Sequence, residues 1–93
     1  MLRAVAQDEA DDAARWFEGK QVGLGVDFVT ELQRVFEVIS SQPDRYPLVL
    51  GDTREAPLGR FSFCVYYRVR SDRVVVTAVF HTARDPSVWQ RRS

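Results

Sequence analysis

The chain is poor in the residues that most often carry chemistry. It has one cysteine, Cys64, one histidine, His81, and one lysine, Lys20, in 93 residues. A single cysteine excludes an intrachain disulfide, and with a single histidine there is no Cys/His set to hold a structural zinc, so no metal site is expected. No apolar run approaches the ~20 residues that cross a bilayer. The N-terminus also lacks the charged-then-apolar pattern of a signal peptide, so a cytosolic protein with no membrane partner is the expectation. Thirteen basic side chains balance thirteen acidic ones, which leaves none of the positive surplus of a protein whose binding rests on many phosphate contacts. Internal repeats and low-complexity segments are absent. The length suits one domain, residues 1–93, built around one core.

What is present is organised around Arg60–His81, RFSFCVYYRVRSDRVVVTAVFH. Alternation, β-branched and aromatic enrichment and a break at Ser71-Asp72 predict two antiparallel strands joined by a two-residue turn. Arg70 then faces Arg73, and the pairs run outward as Val69 with Val74, Tyr67 with Val76, Val65 with Ala78 and Phe63 with Phe80. These eight residues, Phe63 to Val69 and Val74 to Phe80 at alternate positions, form a core face. The opposite face carries Ser62, Cys64, Tyr66, Arg68, Val75, Thr77, Val79 and His81. Mid-strand, Cys64 reads as a small packing residue.

The remaining elements pack on this hairpin or extend it. Leu2–Val5 predicts a short edge strand. Asp8 offers an N-cap with Glu9, Asp11 and Asp12 in the first turn, and Ala10, Ala13, Ala14 and Phe17 recur at helical spacing up to Gly19. Gly19–Gly25 fits neither the P-loop nor the dinucleotide fingerprint and predicts a helix–helix turn with no cofactor bound. A second helix over Val26–Ser41 carries the stripe Phe28, Leu32, Val35 and Ile39, and Pro43 stops it. Pro47 keeps the following segment extended. Thr53–Leu58 predicts a third strand in which Pro57 demands an edge position or a bulge. Thr82–Ser93 predicts a tail that packs Trp89 back on the domain. Charge is split along the chain: residues 1–44 hold four basic groups against nine acidic, residues 45–93 nine against four, giving −5 and +5. The basic half suits an acidic or phosphate-bearing partner.

Taken together, Trp16-Phe17-Glu18, Val22-Gly23-Leu24-Gly25 with Phe28, Gln42–Pro47, Arg60-Phe61-Ser62-Phe63 and Val65–Val69 form an ordered set. With His81 followed by Arg84-Asp85-Pro86 and Trp89, the set resembles the RelE/ParE superfamily of toxins from bacterial type II toxin–antitoxin systems, which serve in plasmid stabilisation and growth arrest. The resemblance runs from about residue 9 to 89. It implies an α+β fold of order β-α-α-β-β-β, a helical hairpin on one face of a small twisted antiparallel sheet. It also implies a cognate antitoxin, in a toxin–antitoxin hetero-oligomer, seated in the apolar groove between helices and sheet edge.

The superfamily divides into ribosome-dependent mRNA endonucleases, RelE-like, and DNA gyrase inhibitors, ParE-like, so the site has to decide between them. RNA cleavage without a metal requires a base, an acid and phosphate-binding cations. His81, Arg60, Arg68 and Tyr66 supply those types on the predicted hairpin face, with Arg54 alongside. The RelE-like group tends to carry lysine and arginine clusters, whereas the only lysine here lies in the helix turn. The Gly-Leu-Gly connector and Tyr-Tyr-Arg strand are closer to the ParE-like group, whose members are not enzymes. On that reading Arg54, Arg60, Tyr66, Arg68, His81, Arg84 and Trp89 are candidates for partner binding, with gyrase as target in place of ribosome and mRNA. An inactive toxin-like binding module is the third reading.

Overall fold

The structure, a computed structural model, describes residues 1–92; the last residue of the predicted tail, Ser93, lies outside the described residues. The chain runs α1 (Ala4–Lys20), α2 (Leu24–Ser41), β1 (Leu48–Leu50), β2 (Thr53–Pro57), β3 (Phe63–Arg70), β4 (Arg73–His81) and α3 (Ser87–Gln90). Its four strands form an antiparallel sheet in the order β1-β2-β3-β4, and α1 and α2 pack on one face, as the α+β expectation requires.

The predicted first strand shrinks to a single parallel bridge between Leu2 and Val76. Arg3 N–H donates to Val76 O at 3.1 Å and Val76 N–H donates to Met1 O at 2.7 Å, so these few residues satisfy the outer edge of β4. Helix α1 then starts at once, four residues before the Asp8 cap that the sequence suggested. Alanine is the strongest helix former, and burial of Ala6 extends the stripe of Ala10 and Ala13 by one turn. Asp8 is an ordinary exposed residue inside the helix.

The glycine-rich connector is a tight turn between two helices. Glu18 caps its far side, accepting N–H bonds from Gly23 at 3.0 Å and Gly25 at 3.0 Å, where the α2 dipole favours negative charge. Gly23 sits at φ +89°, which an L side chain adopts only with strain. Gly25 serves close approach instead: a Cβ there would lie 2.6 Å from Ala14 O across the helix pair. Phe17 and Phe28 stack at 5.2 Å beneath this crossing, and Phe61 and Phe63 meet them edge-on at 5.0–5.8 Å.

Residues after Pro47 do more than stay extended: Leu48–Leu50 pairs with Thr53 and Arg54 and becomes the open edge of the sheet. Because β1 stops there, Pro57 at the other end of β2 faces only β3, and its missing N–H removes no ladder bond.

The hairpin departs from the predicted register in one place. From the turn to Tyr67–Val76 the pairs are as expected, but a bulge at Thr77 then shifts β4 by one, so that Tyr66 pairs with Ala78, Val65 with Val79, Cys64 with Phe80 and Phe63 with His81. Side-chain parity therefore inverts: Val79 and His81 turn to the helices, while Ala78 and Phe80 turn to the outer face. β4 is apolar almost throughout, so alternation alone did not fix where the extra residue falls. Two apolar clusters result, a large one under the helices and a small one of Cys64, Tyr66, Ala78, Phe80 and Trp89 on the outer face. Trp89 packs back on the domain as expected, 4% exposed and stacked on Tyr66 at 3.9 Å. Among the described residues no helix is long and apolar enough to cross a membrane.

The two helical glycines should respond oppositely to alanine. Gly19→Ala, with nothing within 4 Å of the added methyl, gains ~0.5–1 kcal/mol in urea unfolding from helix propensity. Gly25→Ala meets Ala14 O, and overpacking of ~1–3 kcal/mol outweighs the same propensity gain.

Candidate functional site

The sequence placed Arg60, Tyr66, Arg68 and His81 on one hairpin face, with Arg54 beside them. The structure keeps only Tyr66 and Arg68 together. Beyond the bulge His81 projects on the helix side, its ring edge-on to Phe63 at 5.1 Å, and its Nδ1 accepts the Ala83 N–H at 3.0 Å. It borders a groove between α1 and β4 with Ala13, Trp16, Phe63, Val79 and Arg84.

Arg60 lies before β3, where the chain turns toward α2. Its Nη2 pairs with Asp27 at 2.9 Å and its guanidinium covers Phe61. Arg54 is drawn to the turn after α2: it donates to Tyr46 O at 2.7 Å and lies 3.5 Å from Asp44. Arg84 pairs with Glu9 at 3.1 Å and covers the Phe80 ring. Each of these three arginines is engaged in a local contact that ties an adjoining segment to the fold.

Tyr66 and Trp89 are engaged with each other. The Tyr66 hydroxyl donates to Glu55 at 2.6 Å, across the β2–β3 ladder. Burial, and then the hydrogen bond to Glu55, push its phenol well above the ordinary range. A phenol so held is a structural donor and is poorly suited to exchange protons near neutral pH. Arg68, two residues on, is half-buried, and its Nε has no accessible surface and, among the described residues, no hydrogen-bond partner. Burial first, then the positive charges of Arg3 and Arg70, depress its pKa.

Glu9 is the residue whose role sequence reasoning missed. It read as a first-turn acid, but its nearly buried carboxylate accepts the Val79 N–H at 3.1 Å and pairs with Arg84 at 3.1 Å and Arg92 at 2.9 Å. Arg92 also donates to Thr77 O at 3.2 Å. One carboxylate thus joins α1, the bulged edge of β4 and the C-terminal segment. The only sequence signal for it was the Arg91-Arg92 pair behind Trp89. Among the described residues no group of three His, Cys, Asp or Glu side chains is placed to hold a metal ion.

Cys64 is buried in the outer cluster, and burial, reinforced by the Glu55 charge, pushes its thiol up to about 11. Since the thiolate is the nucleophile, the native thiol should react with Ellman's reagent at pH 8 at least about a hundredfold more slowly than the urea-unfolded chain. The pH dependence has a definite sign. The folded thiol titrates above its ordinary value of 9.0, so its contribution is fully present below that pH and is lost as pH rises through about 11. Thermal melts should show stability falling across this window, less steeply in Cys64→Ala.

No curated protein matches the chain. A family model described as "ParE toxin of type II toxin-antitoxin system, parDE" matches residues 1–86, which takes in α1, α2 and the whole sheet. That span includes the helix crossing at Gly25, the bulged hairpin and the Glu9 carboxylate, and the chain belongs to the ParE toxin family of type II toxin–antitoxin systems.

Proposed function

We propose that the chain is a toxin of the gyrase-inhibiting kind, held inactive by its cognate antitoxin, and that it is not itself an enzyme. One observation carries this reading: the groups that a metal-free RNA cleavage needs do not converge. His81 stands on the helix side of the sheet and Tyr66 with Arg68 on the other, while Arg60 is paired with Asp27 beside α2. General acid–base catalysis requires its partners within hydrogen-bond reach of one scissile group. A sheet's thickness between base and phosphate clamp works against that. Zero net charge and a lone lysine point the same way, because ribosomal RNA is a dense polyanion.

Action by protein contact suits the surfaces that remain. The groove of Trp16, Phe63, Val79 and His81 is apolar with a polar rim, the anatomy of a protein-binding surface. Trp16, 58% exposed, offers an aromatic anchor there. A second exposed apolar strip joins Val22, in the turn before α2, to Val26 and Val29 on that helix. In this reading the antitoxin covers such a face and thereby blocks access to gyrase.

Expression of the chain without its antitoxin should slow bacterial growth and induce the DNA-damage response, measured with a reporter. Co-expression of the antitoxin should restore growth. His81→Ala should retain this toxicity. Arrest with prompt codon-positioned mRNA cleavage, abolished by His81→Ala, would overturn the gyrase reading in favour of the endonuclease. Harmless expression of the soluble folded chain would assign it to the inactive modules.

A further inference from the structure

We propose that Arg68, flanked by Arg3 and Arg70 on the outer face of the sheet, accepts a carboxylate from the cognate antitoxin. The proposal rests on the antitoxin partnership that family membership supplies and is independent of whether gyrase is the target.

The outer face is divided in two. Helix α3 covers the half made by Cys64, Tyr66, Ala78 and Phe80. The other half is a cross-sheet row of Leu50, Thr53, Arg68 and Val75, which stand opposite one another from β1 to β4; Thr53 and Val75 are buried, and Leu50 and Arg68 reach the surface. Leu50 at the open edge is 41% exposed.

Charge in this half is unbalanced. Arg3 and Arg70 both act on Arg68 as like charges, and the one carboxylate among them, Asp52, is taken by Arg70 Nη1 at 2.6 Å. Among the described residues Arg3 makes no side-chain ion pair; its backbone donates to Val76 O and accepts the Gln7 N–H. Three guanidinium groups therefore share one carboxylate. The Nε of Arg68 is, in addition, a buried donor without an acceptor, an unusual state because buried donors are nearly always satisfied. A carboxylate laid end-on against the two terminal nitrogens of Arg68 accepts from both and offsets the like charges.

The surroundings favour a protein carboxylate over nucleic acid. Leu50, the exposed apolar residue of the row, stands beside the arginines, and the chain lacks the overall positive charge for a polyanion. An antitoxin segment with an Asp or Glu flanked by apolar residues matches the row in charge and in polarity. The sheet half of the chain, at +5 from nine basic against four acidic groups, would also steer an acidic segment toward it.

The test is calorimetric titration of the chain with purified full-length cognate antitoxin, alongside thermal melts of each free variant. Arg68→Gln should weaken binding at least about tenfold. Arg68→Lys should recover only part of that loss, because an ammonium lacks the fork. Arg3→Gln should lose less, and Arg45→Gln, on the turn after α2, nothing. The free Arg68→Gln chain should melt at the same temperature as the parent or higher, since the substitution removes an unsatisfied donor and a repelled charge. A residue of purely structural role would instead lower the melting temperature. Restored affinity between Arg68→Glu and an antitoxin with one Asp or Glu changed to Arg would identify the partnered carboxylate. Affinity of Arg68→Gln within twofold of the parent would overturn the proposal, as would loss of toxicity with antitoxin affinity intact, which would assign the cluster to the toxin's target. Failure of the parent chain to bind antitoxin would overturn the partnership itself.

Discussion

The bulge at Thr77 is the constraint on which the rest of the architecture depends. Without it β4 would send Ala78 and Phe80 to the helices and expose Val79 on the outer face; with it, each face receives apolar residues where a layer exists to cover them. A bulge forfeits roughly one ladder bond, a net ~1 kcal/mol. Against that, the outward Phe80 and Tyr66 give Trp89 a surface to stack on. Burying an indole of ~200 Å² is worth up to about 5 kcal/mol as an upper bound. Packing wins by a margin that survives generous discounting, and the C-terminal segment is fixed to the sheet as a consequence.

The bulge also leaves polar groups on the edge of β4, and the chain satisfies them from two directions. Met1 to Arg3 bonds to Val74 and Val76 on one side of it, and Glu9 and Arg92 bond to Val79 and Thr77 on the other. This closes the edge that hairpin sheets otherwise leave available for pairing. Among the described residues the opposite edge, β1, has no such cover, and Leu48, Val49 and Leu50 are all exposed on it. The sheet is thus finished on one side and open on the other.

Much of this was legible in the residues. Helical periodicity placed Phe28, Leu32, Val35 and Ile39 in the core correctly, the Ser71-Asp72 turn set the first half of the hairpin, and Pro57 marked where β2 outlasts its neighbour. What failed was parity beyond the turn. An apolar run such as Val74-Val75-Val76 followed by Ala78-Val79-Phe80 satisfies alternation in either phase, and the deciding influences are distant in sequence: Trp89 on one face and Glu9 on the edge. The helix start failed for a related reason, since a cap motif at Asp8 is a local signal and burial of Ala6 against the sheet is a tertiary one. The grouping of His81 with Tyr66 and Arg68 on one face inherited the wrong phase, while Arg54 and Arg60 were drawn away by Asp44 and Asp27.

That phase error bears directly on mechanism. His81 and Arg68 lie on strands that pair directly, and a flat alternating hairpin would have placed them on one face as a plausible acid–base and phosphate-binding set. One inserted residue puts a sheet between them. The lone histidine is left beside an apolar groove, with Ala83 N–H on its Nδ1. The unpaired arginine is left on a surface short of negative charge. On the function proposed above, each serves contact and not chemistry, on different partners or different parts of one partner. A small toxin that must engage both an antitoxin and a target has two sheet faces with which to do so, and the register of a single hairpin determines which side chains each face presents.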